Sequence, residues 1–266
     1  MRRASAYFAG SALFHYLGPS FAVLLFARVA PLGVAWLRIA AAALVYAAWR
    51  RPRRAPDRDT VALGVVLGLM NPCFYLAIAR LPLATVAAIE FLPVVALAAL
   101  GARGLRNAAA LVVAFGGVSL LTDVRLAGAP LGFAFAFANA GLFALYIVQA
   151  HRVAQRTGID GLATAMLVAL AVVTPTGGWA AAPAFESATL LGAGVGVGVT
   201  SSVVPYVLDQ LAMRRLPRAT YALFVSLLPA TATLVGIVVL AQVPEPPEIA
   251  GILLVVTGVA VHRDVR

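Results

Sequence analysis

Apolar residues run along this chain in long blocks, and polar residues gather at the breaks between them. Cutting wherever charges, Pro and Gly interrupt the runs gives ten segments, at 5–27, 32–49, 61–79, 83–101, 105–122, 129–150, 160–181, 188–211, 218–241 and 248–262. A helix needs roughly 20 mainly apolar residues to cross about 30 Å of hydrocarbon, so each block predicts a membrane-spanning helix. Almost nothing is left over. The longest polar stretch, Arg50 to Asp59, is too short for a catalytic or receptor domain. Met1-Arg2-Arg3 followed by an apolar run also resembles the start of a signal peptide, but the run continues to residue 27 and outlasts the h-region of such a leader. It reads as the first spanning helix.

The basic residues alternate with the segments. If the N-terminus lies on the cytoplasmic side, sixteen of the twenty arginines fall in cytoplasmic loops or ends, Arg28, Arg80 and Arg125 fall outside, and Arg38 lies within a segment. The positive-inside rule therefore predicts ten spans with both termini cytoplasmic. This changes the meaning of the net charge of +10, which in a soluble chain would suggest nucleic acid. Here it is an orientation signal, and no nucleic-acid partner is expected. Composition agrees: 62% of residues are hydrophobic and 11% charged, against about 25% charged in soluble domains.

The chain also repeats itself. Leu76-Ala77-Ile78-Ala79-Arg80-Leu81-Pro82-Leu83-Ala84-Thr85 aligns with Leu211-Ala212-Met213-Arg214-Arg215-Leu216-Pro217-Arg218-Ala219-Thr220 at an offset of 135, and Leu92-Pro93 aligns with Leu228-Pro229 one residue later. Gly117-Val118 likewise resembles Gly258-Val259. Small residues recur four apart, Gly64 with Gly68 and Gly194 with Gly198, a spacing that lets membrane helices approach closely. Two repeats of five helices, 1–122 and 123–266, must be inverted relative to each other because five is odd. The expected fold is an all-α integral membrane protein of ten transmembrane helices in two inverted repeats. That plan is common in secondary transporters, whose substrates bind near the midplane.

Candidate chemistry is sparse. An ionisable residue at mid-membrane is costly and marks a functional site by default. Glu90 is the clearest case, as a proton site or a counter-charge for an amino group; a structural ion pair with Arg38 is the other reading. Arg38 offers a planar fork suited to a substrate carboxylate. Asp209 reads equally as a gating residue or as a side chain snorkelling to the headgroups or pairing with Arg214. Asn71-Pro72 and Val204-Pro205, with Pro93 and Pro229, predict matched helix breaks that would offer backbone polar groups to a ligand. His15, Tyr16, Asn139 and Tyr146, with Ser201, Ser202 and Ser226, are further polar candidates, although lone polar residues of this kind more often form interhelical hydrogen bonds. Trp36, Trp49 and Trp179 read as interface anchors.

Enzyme signatures are missing. His15, His151 and His262 are too far apart for a zinc helix, and there is no Gly-x-Ser-x-Gly elbow or Walker loop. With one cysteine, Cys73, no disulfide framework or Cys-based metal site is expected. No metal and no cofactor are called for.

Met70-Asn71-Pro72-Cys73-Phe74-Tyr75-Leu76, Ala88-Ile89-Glu90-Phe91, Ser201-Ser202-Val203-Val204-Pro205-Tyr206, Arg215-Leu216-Pro217 and Leu37-Arg38 together resemble the drug/metabolite transporter superfamily of EamA type. The resemblance implies a ten-helix carrier in the cytoplasmic membrane, exporting amino acids (threonine/homoserine-like) or related small metabolites by alternating access, driven by protons. It also adds Tyr75 and Tyr206 to the site. Two departures stand out: the family commonly has an acid where this chain has Leu228, and another where it has Gln242. A multidrug or nucleotide-sugar-type carrier is the alternative, and a lipid-handling membrane protein a third. A cavity walled by Phe74, Tyr75, Phe91 and Phe224 would favour an apolar ligand. Arg38, Glu90 and Asn71 converging would favour a zwitterion.

Overall fold

A computed structural model describes residues 2–51, 55–90, 92–93, 108–109, 112–113, 115–117, 120, 129–215 and 228–261. Within them the chain forms helices α1 (Arg2–Leu25), α2 (Pro31–Arg50), α3 (Arg58–Ile78), α4 (Leu83–Glu90), α5 (Pro130–Arg156), α6 (Ile159–Gly177), α7 (Ala188–Met213), α8 (Leu228–Leu240) and α9 (Pro246–Val261). Strands are absent among the described residues. Six helices, α1 to α3 and α5 to α7, are long and apolar enough to cross a membrane, and α8 and α9 are shorter apolar helices. About half of the segment predicted at 83–101, most of 105–122 and the first part of 218–241 lie outside the described residues.

Local chemistry sets the helix ends. Pro31 and Pro130 start α2 and α5 at the first turn, where a missing N–H costs nothing. Asp57 caps α3 by accepting the Thr60 N–H at 2.9 Å, and Ser187 caps α7 through the Leu190 N–H. The Glu248 carboxylate reaches back to the Glu245 N–H at the start of α9, the reciprocal half of a capping box. Gly158, at φ +61°, makes the tight turn between α5 and α6, a conformation that glycine adopts without a Cβ penalty. The predicted 129–150 segment extends to Arg156, where the α5 arginines meet Asp59 rather than solvent alone.

Glycines set how closely the helices pack. A Cβ on Gly64 or Gly68 would meet Val168 or Val172 and the α6 carbonyls of Ala165 or Ala169 at 3.0 Å or less. On Gly198 it would lie 2.8 Å from the Arg38 carbonyl oxygen of α2, while Gly194 faces Leu37. Thus α3 lies on α6 and α7 on α2, both through small residues four apart. The other main contacts are α3 with α5, α2 with α6, α1 with α7, α1 with α8, α4 with α8, α2 with α3 and α4 with α5.

The polarity of the bundle suits lipid. Leu44, Leu234 and Val238 are more than 60% exposed, whereas five of the seven tyrosines, Tyr16, Tyr46, Tyr75, Tyr146 and Tyr206, are fully buried. Trp49 and Trp179 are exposed near helix ends, and Trp36 donates to Thr174 Oγ1 at 2.9 Å.

Candidate functional site

The centre of the site follows from one proline. Pro205 has no N–H, so the carbonyl four residues earlier, that of Ser201, loses its helical donor. The helix widens there into a π turn over Val199–Val203, a feature frequent at functional positions. Arg38 fills the gap. Its Nη2 donates to the Ser201 carbonyl oxygen at 2.8 Å and to the Tyr206 hydroxyl at 3.3 Å, and its Nε donates to Ser202 Oγ at 2.7 Å. The guanidinium also lies over the rings of Tyr75 and Tyr206, at 5.6 and 5.9 Å, within cation–π range. The Tyr46 hydroxyl reaches the carbonyls of Ser202 and Val203 at 3.3 and 3.2 Å.

The acid stands across from it. Glu90, at the end of the described part of α4, accepts from Asn139 Nδ2 at 2.9 Å and from the Tyr16 hydroxyl at 3.2 Å. Arg38 and Glu90 are each 4% exposed. The alternative reading, an Arg38–Glu90 ion pair, is not formed: among the described residues Arg38 bonds to neutral oxygens and Glu90 to neutral donors.

Between them is a cavity of about 20 Å³ lined by His15, Arg38, Met70, Asn71, Phe74, Glu90, Asn139 and Tyr206. That is room for about one water. His15 is held edge-on by Tyr16, Phe143 and Tyr206, with centroids 5.9 to 6.3 Å away. Asn71 gives its amide N–H to the Leu67 carbonyl at 2.8 Å, leaving Oδ1 as a buried acceptor without a partner. Asn139 Oδ1 is also buried and unpartnered. Such groups are rare and call for an explanation.

Asp209 belongs to a second cluster. It is 1% exposed and takes hydrogen bonds from Ser11 Oγ and, at 3.0 Å, from the Tyr146 hydroxyl. Snorkelling to the headgroups is thereby corrected: α1 and α5 deliver hydroxyls to the carboxylate, which offsets its burial. Pro72 does not interrupt α3, which stays helical through it. Pro229 lies in the first turn of described α8, and Pro93 is flanked by residues outside the described set, as are Ser226, Phe91 and Phe224 themselves. Sequence reasoning missed Ser11 and Tyr46. Ser11 lies one helical turn before His15, on the same face.

Two larger hollows lie towards opposite ends of the bundle. One, of about 540 Å³, is bounded by Arg50, Arg51, Asp57, Arg156 and Asp160, where Arg50 pairs with Asp160 and Arg156 with Asp59, both at 2.6 Å. The other, of about 500 Å³, is bounded by Val23, Arg80, Thr85, Thr233, Gln242 and Glu248. There Gln242 Oε1 accepts the Leu83 N–H at 3.1 Å, tying the end of α8 to the start of α4.

Residues 130–262 match the model of the EamA-like transporter family. Threonine/homoserine exporter RhtA of Escherichia coli is 31% identical over 241 residues, covering 86% of this chain and 80% of that protein. The chain belongs to the EamA-like transporter family. RhtA of Salmonella typhimurium is 32% identical over 237 residues, covering 85% of this chain and 79% of that one. A crystal structure 21% identical in sequence superposes with a TM-score of 0.64, covering 97% of this chain and 95% of its own, so the fold is shared along nearly the whole length. As an EamA-like protein this chain is a multi-pass membrane transporter. The family match lies on α5 to α9, which contribute Asn139, Tyr146, Ser201, Ser202, Tyr206 and Asp209, while Arg38, Asn71 and Glu90 come from the half before it.

Proposed function

We propose that this protein exports threonine, homoserine or a close amino-acid relative by alternating access, with the zwitterion bound between Arg38 and Glu90. The observation that carries this reading is the convergence of two separately held opposite charges on one cavity. An α-ammonium group has three N–H donors. Glu90 and the unpartnered Asn71 Oδ1 and Asn139 Oδ1 are acceptors for it. An α-carboxylate needs donors, and the Arg38 guanidinium lines the cavity. The distinctive chemistry at the cavity is polar rather than an aromatic wall, which favours the zwitterion over a hydrophobic drug. The names of the two RhtA relatives supply the substrate class.

The reading includes ten helices in two inverted halves, 1–122 and 123–266, with both termini cytoplasmic and protons driving export. Exchanged packing partners support the inversion: α3 lies on α5 and α6 as α7 lies on α1 and α2, and α4 meets α5 as α8 meets α1. Hollows towards both ends with a small cavity between them support alternation. Purified protein in liposomes with an imposed pH gradient, offered a panel of amino acids and hydrophobic cations, tests the function. Movement of threonine or homoserine is expected; movement of the cations alone would overturn it.

A further inference from the structure

The two buried carboxylates have different hydrogen-bond surroundings, and the difference assigns them different tasks. Around Glu90 both described contacts are from donors, the Asn139 amide and the Tyr16 hydroxyl. Donors stabilise a carboxylate that has no proton. Around Asp209 the arrangement includes a relay. Ser11 Oγ lies within hydrogen-bond distance of both the Asp209 carboxyl and, at 3.2 Å, the Pro205 carbonyl oxygen. A hydroxyl has one hydrogen and two lone pairs, so Ser11 can donate to the carbonyl while it accepts from a protonated Asp209. When Asp209 is ionised, Ser11 turns its hydrogen to the carboxylate instead, and the Tyr146 hydroxyl donates to the other oxygen in either state.

We propose that Asp209, with Ser11 and Tyr146, is the proton-carrying site of the transporter, and that Glu90 stays ionised as the counter-charge of the substrate ammonium. This rests on the export reading above for its cycle but not for its chemistry. One proton arriving from the outer side binds Asp209 Oδ1, the Ser11 hydroxyl rotates to the Pro205 carbonyl, and the carboxyl becomes neutral. Release of that proton to the cytoplasmic side restores the ionised carboxylate with Ser11 and Tyr146 donating to it. No other bond is made or broken. Titratable groups that face Asp209 include Tyr146 of α5, Tyr46 of α2 and Tyr206 of α7 itself, and α1 contributes the Ser11 hydroxyl.

Infrared difference titration of the lipid-reconstituted protein tests the assignment without any substrate. A protonated-carboxyl band that rises on acidification is expected to vanish in Asp209→Asn and to persist in Glu90→Gln. Should Asp209→Asn fail to fold, wild-type protein carrying carboxyl-labelled [13C]aspartate must shift that band, and [13C]glutamate must leave it in place. A band that follows glutamate, or the absence of any protonated-carboxyl band, overturns the proposal. In liposomes, stimulation of export by an imposed pH gradient is lost in Asp209→Asn. Retention of that stimulation also overturns it, whereas a wild-type protein that moves no amino acid but keeps the aspartate band refutes the export reading alone.

Discussion

Arg38 donates to the main-chain carbonyl of Ser201, 163 positions away in sequence, at 2.8 Å. The carbonyl is open because Pro205 has no N–H to give it, and the π turn before the proline turns it towards α2. A buried guanidinium is thus satisfied by backbone and hydroxyl oxygens rather than by Glu90, which accepts from Tyr16 and Asn139 instead.

Arg38→Lys keeps the charge and loses the fork. Lysine has a single ammonium and cannot serve Ser201, Ser202 and Tyr206 in that geometry. Each buried polar group left unsatisfied costs about 1–3 kcal/mol, so export is expected to fall by more than about tenfold. Initial efflux rates from loaded vesicles measure this, with the circular dichroism spectrum unchanged. A lysine variant with wild-type rates refutes the role.

Glu90→Gln removes the acceptor charge and abolishes efflux while the protein still folds. Tyr16→Phe and Asn139→Ala each delete one donor to Glu90. A hydrogen bond to a charged group contributes about 1.5–3 kcal/mol, so each single variant weakens substrate binding by about ten- to a hundredfold. Titration calorimetry of the three variants decides the matter: equal affinity in all of them and in wild type removes Glu90 from the site.

Two nearby glycines should respond oppositely to the same substitution. A Cβ on Gly196 meets nothing within 4 Å, whereas on Gly198 it meets Ala41 Cβ at 2.5 Å and the Arg38 carbonyl oxygen at 2.8 Å. Gly196→Ala is expected to be neutral or to stabilise by up to about 1 kcal/mol through helix propensity. Gly198→Ala should destabilise by about 1–3 kcal/mol by overpacking α7 on α2. Thermal unfolding in detergent compares them, and equal midpoints would mean that the helices separate easily.

The Asp57 cap gives a pH signature. Its hydrogen bonds from Thr60, with a smaller contribution from Arg156, hold its carboxyl below the usual carboxylate value. A depressed folded-state pKa stabilises the fold above the unfolded value of about 3.9, and that contribution is lost as pH falls through the folded value. Asp57→Ala should therefore cost about 1 kcal/mol at neutral pH, with the gap to wild type constant down to about pH 5 and closing below about 4. A gap that survives in strong acid would assign the loss to something other than the charge.

The arginine–aspartate pairs between the α2–α3 and α5–α6 ends are partly exposed, Arg50 and Asp160 by 35% and 61% of their side chains. A double-mutant cycle on Arg50 and Asp160 should return a coupling close to zero, shrinking further in high salt. A strong, salt-insensitive coupling would reveal a closed, dehydrated gate there.

The described helices, the distortion before Pro205 and the glycine seams were legible because each depends on nearby residues, whereas α3 runs unbroken through Pro72. An apolar run of about 20 residues favours the bilayer whatever its neighbours do, and Gly64, Gly68, Gly194 and Gly198 mark close approach by spacing alone. The list of buried polar residues was legible too, since any such residue inside a span is conspicuous. Who meets whom was not. Arg38 and Glu90 invite pairing on charge, yet Arg38 bonds to α7 and Glu90 to α1 and α5. Asp209, near enough to a helix end to snorkel, is instead enclosed by Ser11 and Tyr146. These choices depend on the rotation and depth of helices far apart in the chain. A buried charge is stabilised by whichever donors or acceptors that packing delivers, so the pairing that decides the chemistry exists only once the bundle has closed.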